Sequence, residues 1–291
     1  SAIAMAMLIL FRNRQAIRKN IAFTIIYLAP MVVLFRFMFY GRPHMISYFL
    51  IYATLFCLYR YKESESSRLI YFIPVLSVLW GNLHGGSSTL SYILCFIFFV
   101  SGALEFSFGK LHGEKLSRKQ LITILGVGIL SLFALALNPY GVDMIVYPYA
   151  NMGDAFMQDM INEWAPPDAK QITHLVLFFW PMLIVSLSLV ITDKKVKALD
   201  LLLFLFFAYM IFRSVRFGVV FYIASTFFTF DYLIFRESIS AKTRYDKPAF
   251  MLIVAALILT NVLSIKATIN TVREGKLISS VLDKKIIEFV K

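Results

Sequence analysis

Residues 199–235 read LDLLLFLFFAYMIFRSVRFGVVFYIASTFFTFDYLIF. Arg213 and Arg216 break what is otherwise a single apolar stretch, and two helices, 199–212 and 217–235, fit on either side of the break. A helix needs about 20 mostly apolar residues to cross the hydrocarbon core of a bilayer, and shorter ones are accommodated by thinning and snorkelling. Working outward, runs of the same character lie at 2–11, 21–39, 45–59, 69–83, 89–104, 121–137, 174–192 and 249–267.

The whole chain shares that bias. Hydrophobic residues make up 59% and charged residues 16%, whereas soluble domains are about a quarter charged. The 29 Phe and 15 Tyr include many at the ends of the apolar runs, where aromatic rings settle at a membrane interface. The expectation is an all-α fold: a polytopic transmembrane helix bundle of about nine or ten spans over residues 1–269. The polar tail at 270–291, with apolar residues at helical spacing, reads as the start of a further extramembrane domain. Ser1 falls inside an apolar stretch, so the chain reads as a fragment lacking its N-terminal spans.

The formal charge of +12 does not point to nucleic acid, because the basic residues form no single stripe. They alternate instead. Connections 12–19, 60–68, 110–119, 194–197 and 236–247 hold 18 lysines and arginines, and the intervening connections hold Arg42, Lys170, Arg213 and Arg216. By the positive-inside rule the first set is cytoplasmic and the second faces outward in a multi-pass cell-membrane protein. Cys57 and Cys95 both lie within apolar runs, where a thiol acts as a small hydrophobe; neither a disulfide framework nor a cysteine metal site follows.

The concentrated polar motifs all fall on the outward side: Gly41-Arg42-Pro43-His44, Trp80-Gly81-Asn82-Leu83-His84-Gly85-Gly86, Asn138-Pro139-Tyr140-Gly141, the long loop 138–173, and Arg213-Ser214-Val215-Arg216. The basic-side connections read as ordinary solvated loops. The long loop carries Asp143, Asp154, Asp159, Glu163 and Asp168. Phe156, Met157, Met160, Ile161 and Trp164 recur within it at helical spacing, which predicts a short interfacial helix at about 153–164, stopped by Pro166-Pro167. Its acids either solvate that helix or supply a carboxylate, Asp159 or Glu163, as a base.

Charge at membrane depth is expensive, so Arg213 and Arg216 either snorkel at a tight turn or clamp an anion with planar forks of donors. Arg42 admits the same two readings. Asn82 and His84 at an apolar helix end point to hydrogen bonding with a polar ligand or across helices, and the glycines after them to a cap or a close backbone approach. His44 and His84 with an acid could supply donors for a divalent metal, yet no ligand spacing is present, so the cofactor stays open and no metal residue is assigned. No Walker loop, dinucleotide fingerprint, nucleophile elbow or zinc-protease motif occurs.

Taken in order, Arg42-Pro43-His44, Trp80-x-Asn82-x-His84-Gly85-Gly86, Asn138-Pro139-Tyr140-Gly141, Glu163-Trp164-x-Pro166-Pro167 and Arg213-x-x-Arg216 resemble bacterial polytopic membrane proteins that look like members of the C-type glycosyltransferase superfamily. The resemblance covers Gly41 to about Phe217. It implies a cell-envelope transferase that moves a sugar from a polyprenyl-phosphate carrier to an acceptor at the extracytoplasmic face, with the lipid bilayer and the lipid-linked donor as partners. Arg42, Arg213 and Arg216 would hold the phosphate, His84 and Asn82 would orient its oxygens or the sugar's, and Asp159 or Glu163 would draw the acceptor's proton. Such enzymes usually place a catalytic acid in the first outer loop, and this chain begins beyond that loop. Two other functions fit the composition: a transporter or flippase for a lipid-linked or anionic solute, which an internal repeat would favour and none is found, and a non-catalytic assembly subunit.

Overall fold

The computed structural model describes residues 2–19, 21–38, 44–152 and 162–232. Helices dominate: α1 (Ala2–Arg12), α2 (Arg14–Lys19), α3 (Ile21–Met38), α4 (His44–Glu63), α5 (Ile73–Leu83), α6 (Leu90–Ala103), α7 (Arg118–Ala134), α8 (Asp143–Met152), α9 (Ile172–Ile191), α10 (Ala198–Arg213), α11 (Gly218–Ser225) and α12 (Thr229–Tyr232). Their positions follow the apolar runs closely from residue 2 to residue 213. The run 217–235 is corrected, because Thr226–Phe228 divides it into α11 and α12. The run 249–267 and the tail 270–291 lie outside the described residues.

Two of these helical segments, Gly85–Ala103 and Ile172–Ile191, are long and apolar enough to cross a membrane. Their buried shares are 50% and 44%, so about half of each faces outward despite its composition. The outward face of α7 has the same character. Ile122, Ile129 and Phe133 are exposed while Ile124, Val127 and Ser131 are buried. That buried face packs on α5 and α6. A side chain at Gly128 would place its Cβ 3.0 Å from the Cβ of Cys95, and the missing Cβ is what lets the two backbones approach.

Two ends of the bundle are built differently. The all-α character holds, and a small sheet is added at the basic end. β1 (Phe106–Phe108) pairs antiparallel with β2 (Leu111–Gly113) through a turn at Gly109, whose φ is 57°, a conformation that favours glycine. β2 then pairs parallel with β3 (Val196–Lys197) in the register Leu111↔Val196 and His112↔Lys197. The sheet joins the α6–α7 connection to the α9–α10 connection. Lys110 Nζ donates to the carbonyls of Val190 (3.1 Å) and Thr192 (2.8 Å) at the end of α9, where a cation also meets the negative end of the helix dipole.

α7 starts from a capping box in which Ser117 Oγ accepts from Gln120 N–H (3.0 Å) and Gln120 Oε1 accepts from Ser117 N–H (3.1 Å), satisfying donors that a helix start leaves open. Beneath these connections the buried carboxylate of Asp200 accepts from the hydroxyls of Tyr59 (3.1 Å) and Tyr232 (2.6 Å). The Arg12 guanidinium lies 4.4 Å from the Phe227 ring centre. The ion pairs among described residues, including Lys62–Glu114, Lys197–Glu114 and Lys119–Glu65, all sit at this end. The loops expected to be merely solvated are therefore pinned.

At the other end the α4 N-terminus, the α5 C-terminus, α8, residues 162–165 and the turn after α10 converge. The interfacial helix expected at about 153–164 falls mostly outside the described residues, which resume with one 3-10 turn at Asn162–Trp164. The helix that the loop does form in the described region, α8, lies earlier, where Asp143 occupies the first turn.

Between the two ends, large side chains such as Trp80, Tyr27, Phe98, Phe207 and Phe221 fill the interior. At Gly218, the first residue of α11, a Cβ would come within 2.5 Å of the Phe178 ring and 3.1 Å of Leu34. The ring is buried and cannot yield. Gly218→Ala is expected to destabilise the fold by about 1–3 kcal/mol through overpacking, read as a lowered thermal midpoint, while Gly126→Ala, with nothing within 4 Å, leaves it unchanged or raised.

Candidate functional site

Ser214 creates the site. Its backbone is extended (φ −164°, ψ 132°), which ends α10 after Arg213 and starts a 3-10 turn through Val215–Phe217 before α11. The Ser214 hydroxyl oxygen accepts from Arg216 N–H (3.3 Å) and its proton goes to the carbonyl of Glu163 (2.8 Å). Val215 N–H donates to the Ala165 carbonyl (3.0 Å), and the Arg216 guanidinium lies 5.6 Å from the Trp164 ring centre, within cation–π range. The motifs around Glu163-Trp164 and Arg213-x-x-Arg216 are thus one structural unit.

His84 reaches the same point from α5. Its N–H caps that helix by donating to the Trp80 carbonyl at 2.9 Å, and its backbone turns to φ −159°. The imidazole is bridged: Nε2 lies 3.0 Å from Nη2 of Arg216, and Nδ1 lies 2.7 Å from Oγ of Ser47. Trp80 Nε1–H also donates to Ser47 Oγ, at 2.7 Å. Arginine has donors and no acceptor, so Nε2 must present its lone pair and the ring proton must sit on Nδ1. Ser47 Oγ then accepts from both His84 and Trp80.

The same environment keeps the ring neutral. Burial, then the positive charge of Arg216, then His44 push its pKa from 6.5 down to about 4. The His44 and His84 ring centres are 6.3 Å apart.

These groups surround a cavity of ≈ 180 Å³ whose walls include His44, Ser47, His84, Trp164, Arg213 and Arg216. Arg213 is exposed, and neither arginine has an acidic partner among the described residues. Among the described residues the lining carries no carboxylate. Two cations with unspent donors, beside a neutral imidazole, are suited to hold an anion, and guanidinium forks match phosphate oxygens in particular.

A second, mostly apolar cleft of ≈ 390 Å³ adjoins it. Gly86, Ser87, Pro148, Arg213 and Phe217 border both, and Leu90, Ile93, Phe206 and Met210 continue the cleft between α6 and α10. At Gly86 the nearest atoms to an added Cβ belong to the His84 ring, at 3.8 Å. Glycine is therefore required there neither by φ nor by crowding, and it keeps the junction of the two spaces open.

Of the residues singled out from sequence, His84, Arg213 and Arg216 come together. Glu163 is tied to the site through its carbonyl and stands outside the cavity lining. Asn82 makes the bonding across helices that was one of its two readings: its amide donates to the carbonyls of Val78 (2.8 Å) and Leu137 (2.9 Å), bracing the end of the α7 segment against α5. Arg42 and Asp159 lie outside the described residues. His44 and Trp80 belonged to motifs recognised in the sequence, whereas Ser47 gave no signal, being one small polar residue in an apolar run. No group of three or more His, Cys, Asp or Glu suited to a metal occurs among the described residues.

The depressed His84 pKa has a definite consequence. The unfolded chain takes up this proton near pH 6.5 and the folded chain only near pH 4, so the stability contributed by the neutral ring is full above pH 6.5 and is lost as pH falls through that window. The thermal midpoint of the native chain should fall between pH 7 and pH 4.5 relative to that of His84→Gln, and two parallel pH curves would contradict the assignment.

Comparison with protein-family models, curated proteins and solved structures returned no match.

Proposed function

We propose that the chain is part of a multi-pass envelope protein, with its basic connections on the cytoplasmic side, that binds a polyprenyl-phosphate-linked sugar at the opposite end and transfers the sugar to an acceptor. The observation that carries the reading is the pairing of two spaces across Arg213: a cavity with two arginines that have no acidic partner among the described residues, and an apolar cleft running from it. An anionic head group on a long hydrocarbon chain has that shape and that chemistry. Exposed apolar faces on α7 and α9, including Ile129, Phe133, Leu183 and Val190, support burial in lipid, since monomeric soluble proteins rarely expose such surface contiguously. The ordered motifs resembling C-type glycosyltransferases support sugar transfer in particular.

In this reading Arg213 and Arg216 hold the phosphate, and their charge stabilises it as the leaving group when the sugar–phosphate bond breaks. Arg42 would add a third cation at the same end, and Asp159 or Glu163 a carboxylate. Passage of a solute, the transporter reading, is less well supported. The basic end is filled by the Asp200–Tyr59–Tyr232 cluster and the three-stranded sheet, so the described cavity and cleft lie at one end.

The test is binding and transfer by the full chain in lipid nanodiscs, with a polyprenyl-phosphate sugar as donor. Hydrogen bonds to a charged group are worth about 1.5–3 kcal/mol, so Arg216→Ala and Arg213→Ala should each weaken donor binding ~10–100-fold, with transfer lost in parallel. Gly86→Leu should fold normally and weaken a long-chain phosphate far more than inorganic phosphate. Unchanged donor affinity in both arginine variants would remove the assignment.

A further inference from the structure

His84 has a second face. Besides the arginine-lined cavity it borders an open cavity of ≈ 640 Å³ on the α8 side, and His84, Gly85 and Tyr147 line both. The walls of this cavity include Asn82, Tyr140 and Asp143. Its chemistry is the opposite of its neighbour's: one carboxylate, one side-chain amide, two tyrosines and no arginine or lysine. Tyr140 is 71% exposed, so its ring face and hydroxyl are available to a ligand.

The local structure fixes these groups. Asn138 Oδ1 accepts from Tyr140 N–H (2.7 Å), Gly141 takes φ 58°, and Asp143 begins α8 directly after that turn. Both amide protons of Asn82 are spent on the Val78 and Leu137 carbonyls, which leaves its Oδ1 as an acceptor. Acceptors beside the exposed Tyr140 ring, with no lysine or arginine among the described lining residues, suit a neutral molecule rich in hydroxyl groups and disfavour phosphate.

We propose that this cavity is the subsite for a carbohydrate acceptor and that His84, in the partition between the two cavities, receives the proton of the attacking hydroxyl. The inference rests on the transferase reading above and adds to it the class of acceptor and the identity of the base. His84 suits the role by geometry. Its proton is held on Nδ1 by Ser47, so the lone pair on Nε2 faces Arg216, and no carboxylate lines that cavity among the described residues.

When a phosphate draws the guanidinium away, Nε2 is released and its environment loses a positive charge, which makes it more basic. The acceptor oxygen then bonds to the anomeric carbon as its proton passes to Nε2. The bond from that carbon to the phosphate oxygen breaks, and its electron pair leaves on the polyprenyl phosphate beside Arg213 and Arg216. The imidazolium returns its proton to the released phosphate monoester or to water, and the ring is neutral again. Ser47 and Trp80 are positioning residues for this step.

The experiment uses the full chain in nanodiscs, a polyprenyl-phosphate sugar as donor and a panel of methyl glycosides as acceptors. Tyr140→Ala and Asp143→Asn are expected to raise the acceptor KM about tenfold or more while the donor KM stays within about twofold, a split that a merely structural defect would not give. His84→Gln should lower kcat ~100-fold or more with both KM values little changed, and Ser47→Ala should reduce kcat less and shift its pH profile. Unaltered acceptor KM in the first two variants would overturn the subsite, and full kcat in His84→Gln would overturn the base.

Should the native chain transfer no sugar, the transferase reading fails, and the subsite is still decided by saturation-transfer NMR with the same glycosides. Transfer of saturation that Tyr140→Ala abolishes upholds it, and none, or transfer unaffected by that variant, overturns it.

Discussion

A guanidinium offers protons and accepts none, and that asymmetry organises one end of this protein. Because Arg216 contacts His84 at Nε2, the imidazole must be neutral and protonated at Nδ1, and Ser47 must be the acceptor that holds the proton there. Ser47 belongs to α4, His84 to the end of α5 and Arg216 to the turn before α11, so one ring joins segments 37 and 132 residues apart in sequence. Trp164 beneath the guanidinium and the Glu163 carbonyl on Ser214 bring in the long loop. Without this relay two arginines would stand in a cavity with no reason to share it.

The two ends of the bundle use charge in contrasting ways. At the basic end ion pairs close several connections: Lys62, Lys197 and His112 meet Glu114, and Lys119 meets Glu65. Exposed pairs of this kind contribute little individually, yet together with the β2–β3 pairing and the buried Asp200 they fix where α4, α7 and α10 begin and end. At the opposite end Arg213, which is exposed, and Arg216, which is partly buried, have no carboxylate partner among the described residues. A partly buried cation without an ionic partner is costly.

Much of the architecture was legible because lipid-scale apolar runs carry a strong periodic and compositional signal. Apart from α8, the longer helices described between residues 2 and 213 follow those runs, and the connections 60–68, 110–119 and 194–197 meet at one end. Single residues were harder to read. His84, Arg213 and Arg216 stood out because charge and imidazole are rare among apolar neighbours. Ser47 did not, since a small hydroxyl inside a helix more often returns to its own backbone, as Thr54 and Ser77 do here. Asn82 stood out for the same reason as His84, and only the carbonyls of Val78 and Leu137 show that its amide protons brace two segments and leave Oδ1 as an acceptor. Strands of two or three residues, such as β3, are too short for any alternation to register, so the sheet at the basic end had no sequence signature.

The relay also makes the site responsive to its own ligand. An anion that engages Arg216 must loosen the contact with Nε2, so binding and the protonation state of His84 are linked. Nitrogen-15 NMR of histidine-labelled protein in nanodiscs reads this directly. The ring of His84 should show the Nδ1–H tautomer at neutral pH, and addition of a polyprenyl phosphate should move its Nε2 resonance toward the protonated position. A ring found as the Nε2–H tautomer, or an Nε2 resonance indifferent to the phosphate lipid, would contradict the arrangement on which the anion site rests.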